Sequence, residues 1–130
     1  MARSRHAIIA ALCLLSGTAF AEKWEGRVVR VADGDTITVL DSSRQMHKTR
    51  LTGIDAPEKA QPFGQRSKAN LSAIAFNRVV EIDGNRRDRY GRILAKVMVA
   101  DPNCNATSCP KLHDAGLMQI KSGLAWWYRQ

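Results

Sequence analysis

Three carboxylates and a guanidinium fall inside one short stretch of this chain: Asp35, Arg50, Asp55 and Glu58. Acids crowded together repel one another unless a cation sits among them, and oxygen donors without histidine or cysteine suit a hard ion. Ca²⁺, which accepts about six to eight oxygens in loose geometry, is expected over Zn²⁺, with Mg²⁺ as the alternative. A second guanidinium comes from Asp88-Arg89-Tyr90-Gly91-Arg92, where a glycine-containing turn can project Arg92 across a sheet. Two arginines and a divalent ion suit a phosphodiester, because bidentate N–H donors match its oxygens and strengthen as charge gathers on them. Read singly, Arg92 is a surface charge and Asp35–Arg50 a cross-strand ion pair. The chemistry requires them together.

Bringing them together is the task of the surrounding elements. Trp24 to Val31 and Thr36 to Leu40 are rich in Val, Ile and Thr and read as strands, with Asp33-Gly34 between them as a turn whose two positions adopt positive φ. Asp41-Ser42-Ser43 makes a second turn before a third strand from Met46 to Thr52. If that turn centres between Ser42 and Ser43, paired residue numbers sum to 85, and Asp35 lies opposite Arg50 on one face. Gly53 to Glu58 then forms a loop that sets Asp55 and Glu58 beside the same strand end. Phe63 to Phe76 is helical, with Leu71, Ile74 and Ala75 on one stripe and Arg66, Lys68 and Asn70 off it. Val79 to Ile82 is a fourth strand, Asp83-Gly84 a turn, and Ile93 to Val99 a fifth strand with alternate residues inward. A short helix from about His113 to Ser122 stops at Gly123, and Leu124 to Tyr128 returns to the sheet. Three strands, a helix and two more strands match an α+β fold built on a five-stranded OB-fold β-barrel.

The 130 residues, 45% hydrophobic and 25% charged, have room for one domain and exclude disordered and fibrous classes. Residues 1–21 read as a signal peptide: Arg3, Arg5 and His6 form a basic start, Ala7 to Leu15 an apolar run, and Ala19-Phe20-Ala21 a cleavage pattern. That leaves residues 22–130 as the domain, and losing Arg3 and Arg5 lowers the net charge from +8 to +6. An exported protein this basic is suited to a polyanion, whether nucleic acid, anionic lipid or wall polymer. Periplasmic or extracellular localisation is therefore expected, with no membrane anchor after cleavage and no stable protein partner implied beyond a monomer. Cys104 and Cys109 form an even pair in an oxidising compartment and are expected to be bonded, in preference to a zinc site completed by His113. Trp126, Trp127 and Tyr128 suit either a base-stacking platform or, as the favoured reading, a partly buried core strand.

The segments VADGDTITV, RLTGIDAPE and DRYGR resemble, in order and spacing, the three signature segments of the staphylococcal nuclease (thermonuclease) family, and the likeness extends from about Trp24 to Tyr128. That resemblance implies that Asp35, Asp55 and the carbonyl of Ala56 ligate calcium. It implies that Glu58 activates or orients the attacking water and that Arg50 and Arg92 clamp the phosphate. Arg89 and Tyr90 resemble positions near the bound nucleotide. The implied activity is calcium-dependent endonuclease cleavage of DNA and RNA with low sequence specificity, leaving 3′-phosphate ends. The alternative is a catalytically silent OB-fold protein that binds nucleic acid. Relative to the family pattern, the chain is expected to lack a C-terminal helix after Gln130, and marginal stability is expected with it.

Overall fold

The computed structural model describes residues 23–129, so the signal-peptide reading of residues 1–21 lies outside it. Strands β1 (Lys23–Asp33), β2 (Thr36–Leu40) and β3 (Met46–Leu51) are followed by a two-residue strand β4 (Ile54–Asp55) and helix α1 (Gly64–Ala75). Strands β5 (Val79–Arg87), β6 (Ile93–Ala100) and β7 (Lys111–Asp114), helix α2 (Ala115–Lys121) and strand β8 (Trp126–Trp127) complete the order. The main sheet runs β3-β2-β1-β5-β6-β7. Parallel pairing of Thr49, Arg50 and Leu51 with Ile93, Leu94 and Ala95 joins β3 to β6 and closes the five long strands into the expected barrel. Closure removes the exposed edges that an open sheet would leave.

Alternation along the strands fills the barrel. Val28, Ile37, Val39, Val80, Ile82 and Val97 are each 0% exposed, and Leu71, Ile74 and Ala75 of α1 pack against them, as the helical spacing predicts. Among the described residues no buried side-chain nitrogen or oxygen lacks a hydrogen-bond partner. No described helix is long and apolar enough to cross a membrane. Cys104 and Cys109 are joined in a disulfide.

Several sequence expectations are corrected. The β1–β2 turn consists of Gly34 and Asp35, since Asp33 pairs with Thr36, and neither Asp33 nor Gly34 has a positive φ. Glycine is needed at 34 for proximity: a Cβ there would collide with the hydroxyl of Ser67 on α1 and come within 2.9 Å of the Ala56 Cβ. Asp83-Gly84 is not a turn, because β5 runs on to Arg87. There Gly84, at φ 145°, sits in a register shift that lies between Asp83 and Arg86 and bends the strand. His113 belongs to β7, and α2 starts only at Ala115, where the Asp114 carboxylate accepts from the backbone N–H groups of Gly116 and Leu117. Gly123 does carry the left-handed conformation expected after that helix, at φ 71°. Trp126, Trp127 and Tyr128 are exposed rather than core, because β8 pairs only with β4 in a separate two-stranded ribbon.

Candidate active site

Arg50 organises the site. It lies on β3 opposite Thr36, so the paired numbers sum to 86 and the predicted Asp35–Arg50 register is off by one. The five residues Asp41 to Gln45 form the connecting loop, with Arg44 taking a left-handed φ of 61° that lengthens the turn. Asp35 nevertheless meets Arg50, because it is a turn residue and escapes the strict alternation of a strand. Its Oδ2 lies 3.3 Å from Arg50 Nη2, and Asp55 Oδ1 lies 3.2 Å from the same nitrogen. The other arm of the guanidinium, Nη1, donates to the carbonyls of Leu51 and Ile54, each at 2.9 Å. Four acceptors therefore fix a side chain that is only 8% exposed.

The acids around it differ in environment. Asp35, 5% exposed, accepts at Oδ1 from the Thr36 hydroxyl and at Oδ2 from the Ala56 backbone N–H at 2.9 Å. That last bond ties the β1–β2 turn to the segment after β4. Asp33 accepts from the Asp35 backbone N–H, and its own pKa is pushed up to about 6 by burial first and then by the neighbouring Asp35 carboxylate. Asp33 was not anticipated as a member of the site. Glu58 is exposed, and among the described residues its carboxylate makes no hydrogen bond or ion pair. Its backbone is pinned instead: its N–H donates to Gln61 Oε1, its carbonyl accepts from Gln61 N–H, and Gly64 packs so closely on that carbonyl that a Cβ would overlap it. Of the three acids, Asp35 and Asp55 meet at Arg50, while Glu58 is an exposed residue of the loop that follows β4.

Arg92 approaches from the other side of the barrel closure. Gly91, at φ 77°, allows the tight return of the 88–92 loop. The Asp88 carboxylate accepts from the backbone N–H of Tyr90 and Arg92 through Oδ1 and from Arg92 Nε at 2.7 Å through Oδ2. Burial pushes the Asp88 carboxyl upward, but the Arg92 guanidinium and these backbone donors outweigh it and hold the pKa below the usual range. Asp88 is the positioning group that sequence reasoning missed. Its signal was present as an Asp four residues before the arginine in a glycine turn. The Tyr90 ring lies 4.9 Å from the guanidinium carbon of Arg89 and 5.4 Å from that of Arg92.

A cavity of about 420 Å³ brings these groups together, with Arg50, Asp55, Asp88, Arg89, Tyr90 and Arg92 in its wall beside Leu94 and Tyr128. Five of the candidate site residues named from sequence, Arg50, Asp55, Arg89, Tyr90 and Arg92, thus share one cavity, together with Tyr128 of the terminal aromatics. Asp35 stands behind Arg50, and Ala56 is buried next to it. Among the described residues no group of three or more His, Cys, Asp or Glu side chains is placed to hold a metal. Two carboxylates do converge on one cationic nitrogen, however, and the donors there are all oxygen, which fits a hard divalent cation completed by backbone and solvent oxygens.

Support for the turn comes from a residue that no motif flagged. Gln119 of α2, 0% exposed, donates from Nε2 to the carbonyl of Gly34 at 2.8 Å and to that of Ser67 at 2.9 Å. Its Oε1 accepts from Asn70 of α1. One amide therefore binds the Asp35 turn to both helices.

Comparison with known proteins bears on the same segments. The family model described as "Staphylococcal nuclease homologue" matches residues 48–130. An "Uncharacterized endonuclease" of Haemophilus influenzae is 41% identical over 109 residues, covering 84% of this chain and 55% of the relative. A "Micrococcal nuclease" of Shigella flexneri is 36% identical over 124 residues, covering 95% of this chain and 70% of the relative. A "Thermonuclease" of Staphylococcus intermedius is 35% identical over 102 residues, covering 72% of this chain and 58% of the relative. The chain thus spans a little over half the length of the Haemophilus and staphylococcal relatives. Its barrel, its paired arginines and these matches place it in one group: the chain belongs to the staphylococcal nuclease family.

Proposed function

We propose that this chain carries the hydrolytic centre of an exported endonuclease that cleaves DNA and RNA with low sequence specificity. The observation that carries the reading is the cavity that Arg50 and Arg92 line together with Asp55. Arg92, held through Nε, keeps its terminal N–H groups for the oxygens of a phosphodiester, while Arg50, whose terminal N–H groups already have acceptors, adds fixed positive charge and its Nε–H, and both effects strengthen as charge builds in the transition state. Arg50 is held by four acceptors and Arg92 by Asp88, so little reorganisation accompanies binding. Asp35, Asp55 and the Ala56 carbonyl would hold Ca²⁺. Such an ion, when bound, would add positive charge at the phosphate and lower the pKa of an adjacent water. Glu58, on its pinned loop, accepts the proton of the attacking water. A water oxygen bonds to phosphorus as the bond to the 5′ oxygen breaks, that oxygen leaves as a hydroxyl with a proton from solvent, and a 3′-phosphate remains. Arg89 and Tyr90, which line the same cavity, would border the nucleotide. The Cys104–Cys109 disulfide and the excess of basic residues accord with an oxidising, exported setting and a polyanionic substrate.

The test is digestion of plasmid and of RNA by the folded protein with added Ca²⁺. Cleavage is expected to vanish with chelator and to fall at least about 10²-fold in Arg92→Ala and Glu58→Gln. Products should prime a polymerase only after phosphatase treatment. Folded protein that leaves both substrates intact overturns the reading, and retained binding without cleavage would identify a silent OB-fold binder.

A further inference from the structure

We propose that the outer face of β1, β2 and β3 is a second nucleic-acid subsite, a track for the backbone of a single strand leading into the Arg50 cavity. The inference rests on the nuclease reading and adds to it where the rest of the strand lies. A depression of about 540 Å³ on this face is lined by Val29, Arg30, Thr38, Met46 and Lys48. Thr38 pairs with Lys48 on one side and with Arg30 on the other. The two cations therefore flank it from neighbouring strands, about 10 Å apart. Among the described residues neither cation takes part in an ion pair, and no acid lines the depression.

Register connects this depression to the active cavity. The β2–β3 ladder runs from Thr36↔Arg50 to Leu40↔Met46 without a shift, so Arg50, Lys48 and Met46 lie on the same face of β3. Lys48 follows Arg50 by about 7 Å along the strand, on the scale of one nucleotide step in an extended chain. A register shift between Val28 and Arg30 turns Val29 outward beside Arg30, so an apolar and a basic side chain are exposed consecutively. Val29 and Met46, 37% and 70% exposed, offer contacts for sugar and base while Arg30 and Lys48 meet phosphate. A continuous row ending in the buried Arg50 favours a linear polyanion over a flat lipid surface.

The experiment measures binding of a labelled single-stranded oligonucleotide of about 12 nucleotides over a salt series in chelator, which separates binding from cleavage. Two phosphate contacts on a single strand correspond to a slope of about 1.4 in log affinity against log salt. Arg30→Ala/Lys48→Ala should reduce the slope by that amount, while Arg66→Ala/Lys121→Ala, which removes equal charge from α1 and α2, should leave it nearly unchanged. Cleavage of a dinucleotide with Ca²⁺ should be unaffected by Arg30→Ala/Lys48→Ala, since a single phosphodiester reaches only the cavity. Equal slopes for the two double variants, or no oligonucleotide binding by the unmodified protein, overturn the track. So does a loss confined to phosphatidylserine vesicles. Failure of every form to cleave the dinucleotide tells instead against the nuclease reading, and the slopes still judge the track.

Discussion

Arg50 and Arg92 reach the same cavity by different local devices. Arg50 is built into β3 and held by two carbonyls and two carboxylates, whereas Arg92 sits in a loop and takes its orientation from one residue, Asp88. The second arrangement can be disturbed without breaking the barrel. Asp88→Asn retains an acceptor but loses the charge that holds Arg92 Nε, and an error of about 1 Å in placement can cost about 10²-fold in rate. We expect kcat for plasmid cleavage to fall by about 10- to 100-fold while the thermal midpoint moves by only a few degrees. An unchanged kcat would mean that Arg92 finds its position without Asp88. The identity of both arginines was legible in the sequence, as was their partnership with Asp55. The role of Asp88 was visible only as a spacing, because an Asp before a glycine turn equally serves the backbone alone.

At the scale of elements, the Asp35 turn depends on parts of the chain far away in sequence. Gln119 satisfies the carbonyls of Gly34 and Ser67, and Gly34 must be glycine because α1 passes against it. Gln119→Leu would fill a similar volume but take its donor from the Gly34 carbonyl, at about 1–3 kcal/mol when buried and unpaired, whereas the Ser67 carbonyl keeps its helical partner. Urea denaturation should report a loss in that range, accompanied, on the proposed calcium site, by weaker Ca²⁺ binding as the turn loosens; a variant as stable as the parent would show that the amide is dispensable. The β2–β3 turn carries its own electrostatic clasp. The Asp41 carboxyl is held below its ordinary pKa by His47 first, 2.7 Å away, and then by the backbone N–H groups of Gln45 and Ser43. A depressed carboxyl contributes stability that is fully present above its unfolded pKa and is lost as pH falls through the folded one. The denaturation midpoint should therefore drop in that acidic window in the parent and drop less in Asp41→Asn. Identical acid profiles would show that the clasp adds nothing. The bounds of β2, β3 and α1 followed from periodicity. The one-residue shift at Arg44, the continuation of β5 past Gly84 and the short strand β7 did not, because each is decided by the cross-strand register and not by the residue pattern along one strand.

For the whole molecule, closure between β3 and β6 is what sets Arg50 beside Leu94 and so brings the 88–92 loop to the Asp55 end of the barrel. The 101–110 loop, by contrast, contributes no residue to that cavity. Its Cys104–Cys109 bridge closes a very short loop, and chain-entropy reasoning puts its contribution at the low end, about 2 kcal/mol. Cys104→Ser/Cys109→Ser should therefore lower the melting temperature modestly and leave cleavage unchanged. Lost activity in a folded variant would place that loop in the site. Sequence alone determined the class of fold and, through its three signature segments, the family, because strand period and motif order are local properties. The tertiary structure alone decided that Asp35 meets Arg50 despite a shifted register, that the backbone of the Glu58 loop is pinned by Gln61 and Gly64, and that the terminal aromatics are exposed. Those outcomes depend on where a turn side chain points, what a loop backbone packs against and which strand pairs with which. Such properties are settled by packing between residues distant in the chain.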